Sequence, residues 1–396
     1  MEETREIEKN INAYLPYDIL TRIFLLFPFK SVLRLKSVCK VWNAIIKDQD
    51  FANMHLENRH AREPSGAILI CHSTRNGTEI PIRTIYNGFP DEFETPSFDV
   101  HFSCFELGGG LKNLSTIPNL EECLSISTSI NGLICLQSYY SIRVCNPWTR
   151  DVITLPLLPA NLNMGSGRVT LQGFGYSPST KEYKVVGYVR MASCIGRPQK
   201  YVVITLGSPA WRALECNIHY LHAFRDNAIG IGGHIYWIAC TNSSREEYII
   251  LALNVQTEEF LAIDTPPQAC WMCDLRLVEL HQRLCLVNGF DSNKNYKFKS
   301  LDLKIWMLQE SNREWILKHQ ILLHSFQYDG VVPMAMEFFY VHKGKLVFKP
   351  EETTLWSFDL ATGNFESIFN GDMNFVHRPK TTLFEESLTS LPSIDL

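Results

Sequence analysis

The chain has 396 residues, a hydrophobic fraction of 45%, a charged fraction of 20% and a net charge of −5 at pH 7. That balance belongs to a folded globular protein rather than a disordered one. So small a charge leaves no broad basic field to draw the chain to nucleic acid or an anionic membrane, and neither is expected as a partner. The first ten residues, MEETREIEKN, carry both signs of charge and lack the apolar core of a signal peptide. No uninterrupted apolar run reaches bilayer-spanning length. The expectation is a soluble protein of the cytoplasm, the nucleus or both, with its 12 cysteines kept as thiols.

Residues 1–12 read as a flexible N-terminus, and helical patterning begins at 13. Leu15, Ile19, Leu20, Ile23, Phe24 and Phe27 recur at three- and four-residue spacings, which puts them on one face of a helix. Pro16 fits the first helical position, where its missing N–H costs nothing. Pro28 ends that helix. Ser31 is a candidate N-cap for a second helix, and Leu35, Val38, Trp42 and Ile45 carry the stripe into a third. The module spans 13–55 and is small enough to need a partner or a neighbouring domain to bury its apolar faces. A polar stretch, HLENRHAREPSG, joins it to the remainder of the chain, with the linker set at 56–66.

From residue 67 to 380 the pattern is that of many short strands: apolar runs bounded by Gly, Pro, Asn and Asp. The region repeats. NGLICL leads to SIRVCNPWTRDVITLP, GGHIYWIA to IILALNVQTEEFLAI, HQRLCLV to IWMLQESNREWIL, and HKGKLVF to TLWSFDLATGNFESI. The turns at Asn146, Asn254 and Asp359, and the Pro209-Ala210-Trp211 corner, fit a repeat of roughly 50 residues, the range of kelch-like propeller blades. Six or seven blades are expected. Residues 72–125 are irregular, and 381–396 read as a C-terminal tail. Trp148, Trp211, Trp237, Trp306 and Trp356 hold comparable places in the repeats and are expected between blades.

Candidate chemistry is sparse. Cys270 and Cys273 form a C-x-x-C with His281 and Cys285 downstream. A second tight ligand pair is lacking, and Cys285 falls in a strand, so a core thiol is the better reading and no metal is assigned. Gly173-Phe174-Gly175 and Gly230-Ile231-Gly232-Gly233 precede strand formers, not a helix, and read as turn glycines rather than a phosphate cradle. No H-E-x-x-H or G-x-S-x-G motif occurs. No catalytic residue, cofactor or substrate-binding residue is assigned.

Leu15-Pro16, Ile19-Leu20, Ile23-Phe24, Pro28, Lys30-Ser31, Leu33-Arg34, Lys36-Ser37-Val38-Cys39-Lys40 and Trp42 together resemble the F-box of plant F-box proteins. Tyr17 departs from that pattern where an acidic residue is usual, and Phe27-Pro28 stands for Leu-Pro. NGLICL, CNPWTRDVITLP, FGYSPSTKEYKVVGY and TLGSPAWRAL are similar to the F-box-associated domain of the same family. The resemblance implies a mainly β protein: a three-helix F-box followed by a kelch-like β-propeller. It further implies a non-catalytic receptor of a Skp–cullin–F-box ubiquitin ligase. Such a receptor docks a Skp-type adaptor, and through it cullin and RING subunits, while the β-domain holds a protein target. The implied adaptor contacts are Leu15, Pro16, Ile19, Leu20, Phe24, Pro28, Leu33, Val38, Cys39 and Trp42. The alternative is a propeller that binds protein or glycan without leading to degradation.

Overall fold

The computed structural model describes residues 15–62, 67–75, 97–106, 110–139, 141–162, 165–191, 200–218, 222–223, 228–240, 248–267, 274–291, 301–309, 311, 313–323, 339–351, 354–370 and 380–392. The N-terminal module holds four helices among these residues: α1 (Tyr17–Phe24), α2 (Phe29–Leu35), α3 (Lys40–Lys47) and α4 (Gln49–Arg62). Three are expected from the sequence pattern. Pro16 and Pro28 stand just before α1 and α2, at φ −56° and −59°, one place earlier than an interior first-turn proline. The Pro28 carbonyl accepts from the N–H groups of Ser31 and Val32, so the fixed proline φ starts α2 and Ser31 lies inside it rather than capping it. Cys39 caps α3, its Sγ accepting from Trp42 N–H at 3.5 Å.

The fourth helix occupies most of the expected linker. Asp48 Oδ1 accepts from Phe51 N–H at 3.0 Å and starts α4. Phe51, Ala52, His55 and Leu56 then form a buried stripe, and His55 Nε2 meets the Phe27 carbonyl at 3.1 Å. The stripe is short, and charged residues surround it, which is why the segment reads as a polar joint.

The rest is a propeller of six blades. The second blade runs β4 (Ser125–Ile126), β5 (Ile134–Gln137), β6 (Ile142–Asn146) and β7 (Asp151–Thr154). The third runs β8 (Gly165–Ser177), β9 (Glu182–Met191), β10 (Lys200–Thr205) and β11 (Arg212–Leu214). In the fourth, the inner strand is interrupted into β12 (His222–Ala223) and β13 (Ile229–Ile231), both paired with β14 (His234–Cys240), before β15 (Tyr248–Asn254) and β16 (Phe260–Asp264). The fifth has β17 (Asp274–Leu280), β18 (Arg283–Asp291), β19 (Leu301–Leu308) and β20 (Trp315–Leu323). The sixth has β21 (Phe339–His342), β22 (Lys345–Glu351), β23 (Thr354–Asp359) and β24 (Phe365–Asn370). The first blade combines both ends of the chain. Here β1 (Ala67–Arg75), β2 (Phe98–Glu106) and β3 (Gly110–Leu120) are joined by β25 (Lys380–Phe384), with Leu69 opposite Thr382.

Residues 381–384, read as the start of a tail, are therefore part of a blade, and 385–392 continue as packed chain. The irregular region contributes β2 and β3. Pro118 is tolerated in β3 because that strand is an outer edge.

Adjacent blades share apolar cores. Leu69, Val100, Ile134 and Cys145 pack between blades one and two, and Cys135, Val144, Phe174 and Trp211 between two and three. Val186, Tyr201, Ile235 and Trp237 come next, then Ile250, Leu277 and Trp306, then Val278, Ile305 and Phe348. Ile68, Ile70 and Val347 close the ring from six back to one. Neighbouring residues such as Ile134 and Cys135 face opposite blades, so inner strands are apolar on both faces. Trp211, Trp237, Trp306 and Trp356 lie between blades as expected.

The polar turns repeat in geometry as well as spacing. Asn146 Oδ1 accepts from Trp148 and Thr149 N–H, Asn254 Oδ1 from Gln256 and Thr257 N–H, and Asp359 Oδ1 from Ala361 and Thr362 N–H. In each, the fifth turn residue (Arg150, Glu258 and Gly363) takes positive φ and bonds back to the first carbonyl. A side-chain oxygen at the first position is what this turn requires.

Gly232 and Gly233 are turn glycines, at φ 56° and 80°. Gly173 and Gly175 are not. They lie within β8, and a Cβ on Gly175 would sit 2.6 Å from Val255 Cγ2, so these glycines let blades three and four approach. Cys285 is fully buried in β18 and desolvation pushes its thiol up to about 12, the expected core thiol. Cys270 and Cys273 lie outside the described residues.

Candidate functional site

The helical module buries one set of the expected contact residues and presents another. Leu20 and Phe24 are 3% and 2% exposed and form the module's own core with Phe29, Val32, Ile45, Ile46, Phe51 and Ala52. They cannot offer a surface to a partner. This corrects their expected role: on a two-turn helix inside a bundle, the inward positions are taken by the bundle itself. Phe24 meets Trp42 edge-on at 4.9 Å. Leu33, Cys39 and Trp42 are partly buried, and Leu33 and Trp42 pack against the core.

Leu15, Pro16, Ile19, Pro28 and Val38 are exposed. Ile19 stands 39% and Val38 52% exposed, and Tyr17, Leu26 and Phe27 share this exposure. Apolar side chains left out by a filled core thus lie on α1 and in the turns that flank α2. Leu26 is not singled out by the sequence pattern, and Tyr17 only as a departure from the family motif, although their places near the core positions Leu20 and Phe24 are a usable signal.

The module is seated on the propeller through the turn after β6. Trp148 packs against the core between blades one and two, as expected, and also meets Phe29 of α2 edge-on, with ring centres 5.2 Å apart. Lys30 Nζ lies 5.4 Å from the Trp148 ring centre and 3.7 Å from Glu386. Lys181, in the turn between β8 and β9, donates to Asp50 of α4 at 2.8 Å. Burial holds the Lys36 ammonium below its ordinary range, with Asp151 of β7 opposing that shift and Lys47 adding to it. Strands alternate in direction within each blade, so the turns after β6 and β8 leave the same face of the propeller. That face carries the helices.

Comparison with known proteins agrees with this division. Residues 14–53 match the F-box domain, and residues 111–368 match the F-box associated beta propeller domain. A putative F-box protein of Arabidopsis thaliana is 24% identical over 348 residues, covering 83% of this chain and 80% of its own. A second putative F-box protein of that plant is 27% identical over 313 residues, covering 76% of each chain. A third Arabidopsis F-box protein is 26% identical over 357 residues, covering 85% of this chain and 82% of its own. With helices, propeller and relatives in agreement, the chain belongs to the plant F-box proteins that carry a C-terminal F-box-associated β-propeller domain.

Proposed function

We propose that this protein is the target-recognition subunit of a Skp–cullin–F-box ubiquitin ligase. The observation that carries the reading is the exposure of Leu15, Tyr17, Ile19, Leu26, Phe27 and Val38 on an F-box whose own core is already filled. A Skp-type adaptor would cover those side chains, and cullin and RING subunits would be joined through the adaptor. The chain itself then performs no bond chemistry. It raises the local concentration of a target beside a charged conjugating enzyme, an effective-molarity effect.

Target capture falls to the propeller face away from the helices. Links between second and third strands, and between successive blades, leave from that face because the strands alternate. Loops on a rigid scaffold are the usual seat of recognition.

Binding of purified Skp-type adaptor to the intact chain tests the docking step. Wild type is expected to bind. The double variant Ile19→Asp/Val38→Asp is expected to bind at least about tenfold more weakly with an unchanged thermal melt, because both side chains already face water. A wild type that does not bind, or a variant that binds equally, sinks the proposal.

A further inference from the structure

Residues 385–392 carry no regular secondary structure, yet they hold some of the most deeply buried side chains of the molecule. Ser387 and Leu388 are each 2% exposed and Thr389 is 0%. The stretch leaves β25 on the helix-bearing face and runs between the two domains. Leu388 enters the F-box core with Leu20, Phe24 and Ile45. Leu391 turns the other way, into the core between blades two and three. Glu386 meets Lys30 of α2, and Ser390 Oγ donates to Gln49 Oε1 of α4 at 3.4 Å.

The Asn146 side chain holds the backbone of this stretch to the propeller, and Tyr183 of β9 hydrogen-bonds the Thr389 side chain. Asn146 Nδ2 donates to the carbonyls of both Ser387 and Thr389, each at 3.0 Å, and Asn146 is fully buried. The Asp359 turn shows that a side-chain oxygen suffices at the same place, and the Asn254 amide nitrogen meets His234 Nε2 of its own blade at 3.4 Å, away from the C-terminal stretch. At position 146 the amide nitrogen is surplus to the turn, and both its protons are committed to the C-terminal stretch. Gly132 allows close passage: at φ +75°, a Cβ there would lie 3.0 Å from the Glu385 carbonyl.

We infer that residues 385–392 are a strap that locks the F-box to the propeller, with Leu388 completing the F-box core and the Asn146 amide as its clasp. The lock is a property of the chain alone. Its consequence, a docking surface presented in one attitude to the bound target, rests on the adaptor-docking function proposed above.

Hydrogen exchange on the intact chain, without adaptor, tests the lock separately from that function. Asn146→Asp keeps the turn oxygen but sets a carboxylate against two carbonyls. Amides of 385–392 and of α1 to α4 are expected to exchange at least about tenfold faster, with blades three to six unchanged. Leu388→Ala removes only the plug, and the helices are expected to exchange roughly a hundredfold faster. Asn254→Asp is the control and should leave the helices protected. The lock is refuted if the helices keep wild-type protection in Leu388→Ala, or if Asn254→Asp loosens them equally. Should Asn146→Asp expose every blade, the Leu388→Ala result decides alone.

Discussion

Lys184 is a charge held where water barely reaches. Its side chain is 8% exposed on β9, and its ammonium donates to Glu258 Oε1 at 2.7 Å across the boundary between blades three and four. Arg212 shares the same carboxylate, and Glu182 lies 4.0 Å off on an exposed side chain. Glu258→Gln removes the counter-charge and keeps the shape. At an effective dielectric of about 20, charges at this separation attract by roughly 6 kcal/mol before desolvation. Breaking a buried pair typically costs about 3–5 kcal/mol. The amide oxygen still accepts one hydrogen bond and Glu182 recovers part of the charge, so the expected net loss is about 2–4 kcal/mol. In a chain of this size that is a fall of roughly 2–5 °C in Tm. The acid limb carries a second signature. Burial pushes the Glu258 carboxyl up, but hydrogen bonds and charge from Arg212 and Lys184 outweigh it and hold the group below its ordinary value. Its contribution is therefore complete above the unfolded value of about 4.3 and is lost as pH falls through the lower folded one. Thermal melts taken from neutral down to acid pH should show wild type losing this increment while Glu258→Gln starts without it. The double variant Lys184→Met/Glu258→Leu should recover most of the loss, since an apolar pair carries no desolvation cost. Equal Tm for wild type and Glu258→Gln at neutral pH would refute the reasoning.

Two further substitutions separate packing from docking. Leu20→Ala should cost the F-box about 2–4 kcal/mol, read as a lower urea midpoint in helix-specific circular dichroism, whereas exposed Ile19→Ala should leave that midpoint in place. Gly175→Ala would force a methyl within 2.6 Å of Val255 Cγ2 and 2.7 Å of Ile235 Cγ1. It should destabilise the propeller by about 1–3 kcal/mol, seen in differential scanning calorimetry.

The F-box helices and the second and third strands of most blades are legible in the sequence because their apolar periods are strong and local. IILALN and RLCLV are buried on both faces and could hardly be anything but central strands. First and fourth strands are harder to read. Ser125–Ile126, Asp151–Thr154 and Arg212–Leu214 are short, and most of their residues remain partly or fully open to water. Residues 381–384 read as the start of a tail because the strand that pairs with them, Ala67–Arg75, lies at the other end of the sequence. The contact set shows the same limit. Spacing puts Leu15, Ile19, Leu20 and Phe24 on one stripe, but only packing decides which edge of the stripe the bundle keeps. Leu388 and Leu391 stand in a short Ser/Thr-rich stretch and pack in opposite directions, so no period betrays either. Trp148 looks like its counterparts in other repeats, and only the helices above its turn set it apart.

Closure of the first blade by β25 has a consequence for biosynthesis. The F-box emerges from the ribosome ahead of the propeller, yet Leu388 reaches it only after every blade has been made. At about 5–20 residues per second, Leu20 waits roughly 20 to 70 s for that side chain. During this interval the F-box core is unplugged and the ring is open, a state suited to chaperone custody. A chain cut short before residue 380 lacks both the strand that completes the first blade and the side chain that fills the helical core.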